Sequence, residues 1–311
     1  MNNIEEIIKE RIKSSQISWK NNPFPHAILD NFLPDELFEK ISLSSNLVGD
    51  IDNFKKSFTS HVELNKKVYG NNDLKGDLRL PVDIIGGNTL KKILENYLDI
   101  EGLISLNDWK NYGGYYPYHT MKTGGLLGAH VDHSHSANDN KLLHVANAIF
   151  YVSQKWDEAW GGETLLFNST GFKIIKKISP KPNRLILFIH SSTSFHGVSK
   201  TNSPSEITRN TYYMDYYVND TQIKKLRENL KKKINIELKY RYHSTLFIPL
   251  FPIELKSFSI ISIFKKSTYV YLFKYFRYLI GRYLLGYNSS IHLKKLSFKY
   301  WKNSFIHKKY T

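Results

Sequence analysis

The chain has 311 residues, a formal net charge of +16 from 44 Lys and Arg against 28 Asp and Glu, and 41% hydrophobic residues, enough for one large domain or two ordinary ones. It has no cysteine, which excludes disulfides, thiolate metal sites and a thiol nucleophile. No uncharged apolar run reaches the ~18 residues of an ordinary transmembrane helix, and the opening MNNIEEIIKERIK lacks the apolar stretch of a secretory leader, so a cytoplasmic protein is expected.

The charge is unevenly spread. Residues 221–311 hold 20 Lys and Arg with 3 Glu, whereas residues 1–220 hold 24 basic and 25 acidic residues. This shift predicts a near-neutral domain over 1–220 followed by a basic, aromatic-rich extension over 221–311. In chain order, Ile4, Ile7, Ile8 and Ile12 recur at helical spacing within 3–17. The segment 26-HAILDNF-32 reads as a strand, and 34-PDELFEKISLS-44 as a helix that opens on Pro and acidic residues. Residues 83–98 suggest another helix after the Gly pair. From 109 to 218 the texture changes to short runs rich in Tyr, Ile, Val, Phe and Leu: 147–153, 163–168, 172–178, 184–190 and 211–218. Gly, Pro, Asn and Ser clusters separate them, which predicts an all-β sandwich or barrel.

The densest chemistry lies in 128-GAHVDHSHSANDNKLLH-144. If 126–132 is a strand, His130 and Asp132 at i, i+2 face the same side. His196 in 194-SFHGVSK-200 can supply a third ligand from another strand. Two His and one carboxylate on one face of an octahedral ion leave three positions open, the triad expected of a non-haem Fe(II) oxygenase. Arg209 opens the next strand, RNTYYMDYYV. Its planar fork suits the far carboxylate of 2-oxoglutarate, should the enzyme use that cosubstrate. His133 and His135 sit in a Ser/Asn/Asp-rich stretch and read as a solvated loop or as substrate-facing; together they also resemble half of a cupin or zinc site. His144 reads as a structural histidine before a strand, and His190 as a capped strand end that could lie near the site. Gly161-Gly162 reads as a tight turn, with Trp156 and Trp160 as packing residues.

These motifs, in this order, resemble the Fe(II)/2-oxoglutarate-dependent dioxygenases of the prolyl 4-hydroxylase-like branch. The matching segments are HAILDNFLPDELFEKI, TGGLLGAHVDH, NAIFYVSQKWDEAWGGETLLF, PKPNRLILFIHSSTSFHGVSK and RNTYYMDYYV, which together span about residues 24–218. The resemblance implies a mainly β fold with flanking helices (α+β), built on a double-stranded β-helix or jelly-roll core with the metal in its mouth. It implies Fe(II) on His130, Asp132 and His196, with 2-oxoglutarate and O2 as cosubstrates. The reaction is then hydroxylation of an unidentified substrate, a protein side chain or a small biosynthetic intermediate, with release of succinate and CO2. Many relatives place a Tyr before His-x-Asp to contact 2-oxoglutarate. Met121 and Leu127 stand there in this chain, so Tyr118 or His119 is expected to substitute, and Asn147 to add a hydrogen bond. Lys is common at the position of Arg209 in the prolyl hydroxylases, so the Arg leans toward other branches.

Three other readings stay open. The body can be a non-catalytic metal-binding jelly roll or a zinc module. A nucleic-acid demethylase is a close rival, although its usual second Arg would fall at Asp215. The stretch 268–287, TYVYLFKYFRYLIGRYLLGY, gathers Leu272, Phe276, Leu279, Ile280, Tyr283 and Leu284 on one helical side and Lys274, Arg277 and Gly281 on the other. This pattern fits an interfacial helix on an anionic membrane surface or a helix docked on a partner protein. It would place the protein on the inner face of a membrane. Nucleic acid is a weaker fit, because no DNA- or RNA-binding motif accompanies it.

Overall fold

Short β-branched and aromatic runs alternate with turn residues through most of the chain, and in a computed structural model they form strands. The structure describes residues 6–11, 17–49, 56–58, 63–105, 115–136, 139, 141–235, 245–247, 269 and 276. The elements are α1 (6–11), β1 (His26–Leu29), α2 (Asp35–Gly49), β2 (Lys56–Phe58), β3 (Glu63–Tyr69), α3 (Leu80–Ile85), α4 (Asn88–Leu98), β4 (Ile104–Ser105), β5 (Tyr118–Val131), β6 (Leu142–Tyr151), β7 (Thr164–Phe167), β8 (Ile174–Ile178), β9 (Leu185–Ile189), β10 (His196–Val198), β11 (Arg209–Asn219), α5 (Ile223–Ile234) and β12 (Leu246–Phe247).

The strands join in the order β1-β9-β6-β11-β5-β10-β7-β8, with β3 and β12 also on β5, β2 on β3 and β4 on β11. The long strand β5 belongs to both halves of this sheet. Its first residues pair with β11, as Tyr118↔Tyr212 and Met121↔Arg209, and its last with β10, as His130↔His196. Between the two, Gly124 holds φ at 78°, a left-handed conformation that costs glycine little. The sheet curls there into a jelly roll, and the chain is mainly β with flanking helices, as expected.

Alternation along β11 sorts its side chains to two faces. Tyr212, Met214 and Tyr216 turn outward into the main core, with Ala146, Ala148 and Phe150 of β6 and Leu185, Leu187 and Ile189 of β9. Helix α4 covers this face with Leu90, Leu94, Tyr97 and Leu98, one stripe at helical spacing, and ends at Asp99 with φ 53°. Each such side chain contributes about 1.5–3 kcal/mol by leaving water. The inward residues of the curl form a smaller cluster of Phe24, Tyr151, Leu166, Ile178, Ile186 and Phe188.

Several expected boundaries move. The helix expected over 83–98 is two helices, α3 and α4, broken at Gly86-Gly87 because the chain must turn between them. Only residues 6–11 of the N-terminal helix are described, and Ile8 is buried in the main core. The packed body also runs past the composition shift near Asp220. Helix α5 buries Leu226 and Leu230 in the main core, and β12 pairs with β5 at Val131 and His130. The amphipathic stretch 268–287 lies outside the described residues apart from Tyr269 and Phe276. Among the described residues no helix is long and apolar enough to cross a membrane.

Candidate metal centre

The register of β5 and β10 sets His130 directly opposite His196, with ring centroids 4.2 Å apart. Gly197 permits this approach, since a Cβ there would stand 2.6 Å from the Leu127 carbonyl oxygen. Strand β5 ends at Val131, so Asp132 sits one residue beyond it and still turns back to the pair. Its Oδ1 is 3.5 Å from His130 Nε2 and its Oδ2 is 3.4 Å from His196 Nε2. All three residues are buried.

The backbone fixes the tautomers. His130 Nδ1 is 2.9 Å from the Gly128 carbonyl and His196 Nδ1 is 3.1 Å from the Ser194 carbonyl, in each case two residues back. Each Nδ1 therefore carries a proton for its carbonyl, and each Nε2, the nitrogen left to ligate, is turned toward Asp132. Burial and the neighbouring His130 push His196 down to about 4, so it is neutral at physiological pH. Burial opposes a charge on Asp132, but the facing His196 and His130 outweigh it and hold the carboxyl well below the usual range. Two imidazoles and one carboxylate on a single face form a donor set that fits Fe(II).

Arg209 lies on the inward face of β11, only 3% exposed. Its Nε–H donates to the Gly162 carbonyl at 2.7 Å, its Nη2–H to Thr164 Oγ1 at 3.2 Å, and its head lies 5.0 Å from the centre of the Tyr151 ring. Among the described residues no carboxylate stands within ion-pair distance of it. Gly162 makes room, with φ at 71° and an added Cβ only 3.2 Å from Arg209 Cδ. Thr164 and Leu166 of β7 pair with Val198 and His196 of β10. Arg209 is thus anchored one alternation step along β7 from the triad's register, about 7 Å.

A second histidine cluster abuts the first. His133, His144 and Asp215 bring ligand-type atoms within 4.8 Å of one another, as the triad does. This cluster is already saturated by protein groups. Asp215 Oδ1 accepts from His144 Nε2 at 3.0 Å and from Asn147 Nδ2 at 2.9 Å, and Oδ2 accepts from the Tyr217 hydroxyl at 3.0 Å. His133 Nε2 is 2.7 Å from the Tyr217 hydroxyl. His144 Nδ1 faces the His133 carbonyl at 3.0 Å, so both of its nitrogens meet acceptors. A ring in that setting is a doubly protonated donor, with no lone pair for a metal. Burial alone would lower His144, but Asp215 outweighs it and raises the imidazole; in the same way His144 outweighs burial and lowers Asp215. The pair is a buried imidazolium–carboxylate.

A profile of the 2OG-Fe(II) oxygenase superfamily matches residues 102–214, the segment that carries the whole triad and Arg209. Over that segment the chain is similar to that superfamily. No curated protein matches the chain. Among solved structures, the chain is similar to a Pseudomonas putida prolyl-4-hydroxylase, at 12% identity over 68% of this chain and 99% of that one, with TM-score 0.45. It is also similar to a Trichoplax adhaerens prolyl hydroxylase in complex with a hypoxia inducible factor peptide fragment, at 14% identity over 72% and 92% of the two chains, with TM-score 0.41. A third is HygX from Streptomyces hygroscopicus with nickel, 2-oxoglutarate and hygromycin B bound, at 12% identity over 62% and 82%, with TM-score 0.41.

The structure sorts the remaining expected residues. Tyr118 is turned away from the triad. It pairs with outward-facing Tyr212, and its hydroxyl donates to the Ser45 carbonyl at 2.7 Å in the main core. His119, one residue on, has the inward parity and stacks on Tyr213 at 5.7 Å; burial and nearby Lys66 hold its imidazole well below the ordinary value. Asn147 is at the site, but its amide nitrogen is engaged by protein acceptors: Asp132 Oδ2 at 3.2 Å, the Tyr213 hydroxyl at 2.9 Å and Asp215. His133 is half-exposed, with its Nε2 held by the Tyr217 hydroxyl, and His135 Nδ1 is 3.0 Å from the Ser134 hydroxyl. His190 belongs to the site: it stacks on His144 at 4.2 Å, with Nε2 3.2 Å from the Asp132 carbonyl. Trp156 packs on the glycine turn, donating to the Gly161 carbonyl. Sequence reasoning missed Tyr213 and Asp215 as site residues. The signal was present, since counting by two from Arg209 along RNTYYMDYYV reaches Thr211, Tyr213 and Asp215.

Proposed function

We propose that the chain is a 2-oxoglutarate-dependent hydroxylase in which His130, Asp132 and His196 hold Fe(II) and Arg209 binds the far carboxylate of 2-oxoglutarate. The observation that carries this reading is the buried guanidinium with no acidic ion-pair partner among the described residues, one strand step from the triad. A buried cation without an anion is costly unless a ligand completes it. A short dicarboxylate that reaches the metal with one end and Arg209 with the other fits that gap. When bound, Fe(II) and 2-oxoglutarate supply the oxidising chemistry that inserts one oxygen atom of O2 into a C–H bond, the other oxygen leaving in succinate as CO2 is released. The protein's part is placement. The Gly128 and Ser194 carbonyls set both imidazoles as ligands, while Ile149, Leu166 and Phe188 line the inward face with apolar surface. Thr164 and the Gly162 carbonyl orient the Arg209 fork. Tyr213 and His119, half-buried beside the triad, are the residues suited to meet a substrate, a protein side chain or a small biosynthetic intermediate.

The test is anaerobic visible absorbance of the purified full chain, titrated with Fe(II) and then with 2-oxoglutarate. The reading requires a charge-transfer band that needs both additions, is absent in Asp132→Ala, and needs far more 2-oxoglutarate in Arg209→Ala. A band unchanged in Arg209→Ala would remove that residue's role, and no band in the wild type would remove the reading.

A further inference from the structure

The saturated cluster beside the triad has no part in the chemistry just described, yet it is joined to the metal ligand Asp132 twice. The first link runs through Asn147. Its two amide hydrogens face three acceptors: Asp215 Oδ1 at 2.9 Å, the Tyr213 hydroxyl at 2.9 Å and Asp132 Oδ2 at 3.2 Å. Its carbonyl oxygen is buried without a partner. The reversed amide would put that oxygen against two carboxylates, so the pair of acids locks the amide nitrogen toward Asp132. The second link runs through His190, whose ring nitrogens lie 3.1 Å from the His144 carbonyl and 3.2 Å from the Asp132 carbonyl.

We propose that the buried Asp215–His144 pair is a positioning device that acts through Asn147 to hold the Asp132 carboxylate in the orientation a metal requires. Asp215 lies directly opposite Asn147 in the β11–β6 register, so the acid that fixes the amide is built into the strand pairing. A second carboxylate this near Asp132 would repel it. His144, 3.0 Å from Asp215 Oδ1, neutralises that charge locally, leaving the charge on Asp132 for the metal. His144 reaches this place through a register shift: Ala146 pairs with Tyr216 and His144 with Tyr217, leaving Val145 unpaired. Without the extra residue, alternation from Asn147 would turn His144 outward.

The proposal rests on the triad being the metal site, and the experiment separates the two. Co(II) binding to the full apo chain is measured by calorimetry and by its visible band, beside the apo melting temperature. Asn147→Ala and Asp215→Asn are each expected to weaken Co(II) by about 10–100-fold, the usual cost of losing a group that orients a ligand, and to change the band's shape. Because Asp215 acts through Asn147, the double variant should bind no more weakly than Asn147→Ala alone. A folded Asp215→Asn with wild-type affinity, or losses that simply add, would overturn the proposal. Should Asp215→Asn fail to fold, His144→Gln enters the same cycle with Asn147→Ala and is read by the same two outcomes. If Co(II) fails to bind the wild type, or binds Asp132→Ala equally well, the metal-centre reading itself falls.

Discussion

Two clusters of two histidines and one aspartate lie side by side, with opposite chemistry. In the triad, the Gly128 and Ser194 carbonyls take the Nδ1 protons, and both Nε2 atoms face Asp132. In the His133–His144–Asp215 cluster, His144 meets acceptors at both nitrogens and Asp215 is already filled by His144, Asn147 and Tyr217. Residue type and the carbonyl at Nδ1 are the same; what differs is Nε2, which in His144 is 3.0 Å from Asp215 Oδ1 and 3.1 Å from the Ala146 carbonyl, within hydrogen-bond reach of both, but in His130 and His196 stands 3.5 and 3.4 Å from Asp132. Their electrostatics diverge accordingly, with His196 pushed down to about 4 and His144 raised.

The comparison can be broken in several ways, from the largest effect to the smallest. Asp132→Ala or His196→Ala should abolish metal binding, read by calorimetry, whereas His144→Gln should still bind one metal per chain, more weakly. His144→Gln should instead lower apo stability by about 3–5 kcal/mol, the cost of leaving a buried charge uncompensated, read by urea unfolding. Arg209→Ala should weaken 2-oxoglutarate by roughly 10–100-fold, since buried hydrogen bonds to a charged group contribute about 1.5–3 kcal/mol, with metal affinity little changed.

The pH dependence of apo stability should carry opposite signs for the two clusters. His196 is lowered from its ordinary 6.5 to about 4, so between these values the unfolded chain binds a proton that the folded chain does not, and stability rises with pH up to 6.5. His144 is raised above 6.5, so its contribution is full below 6.5 and is lost as pH climbs through the raised value. Asp215 is lowered from 3.8, so its contribution is full above 3.8 and fades only as pH falls through the lowered value. Melting curves against pH should lose the alkaline decline in His144→Gln and the acid-side rise in His196→Gln. The smallest change is expected from His133→Ala, which removes a half-exposed hydrogen bond to Tyr217, about 0.5–1.5 kcal/mol.

That His130, Asp132 and His196 come together, with Arg209 on the same inward side, was legible because period-two spacing and the order of the motifs point to the same residues. The strands 184–190 and 211–218 were legible for a similar reason, their apolar content matching a buried sheet. Strand β3, ELNKKVY, was not, because its buried Lys66 and Glu63 satisfy one another at 3.0 Å and read in sequence as a solvated run. Tyr118 was expected on the wrong face because the phase of β5 is set by its pairing with β11, which no local pattern reveals. The role of His144 was hidden by the register shift at Val145, where alternation no longer predicts facing. The end of the body was misplaced at Asp220 because α5 is basic on its exposed side and buries only Leu226 and Leu230.

The most direct test of the contrast is the metal stoichiometry of the full chain. Calorimetric titration of the apo protein with Co(II) should give one site per chain in the wild type and none in Asp132→Ala. A second site in the wild type, or one that persists in Asp132→Ala and disappears in His144→Gln, would contradict the account and move the metal to the neighbouring cluster.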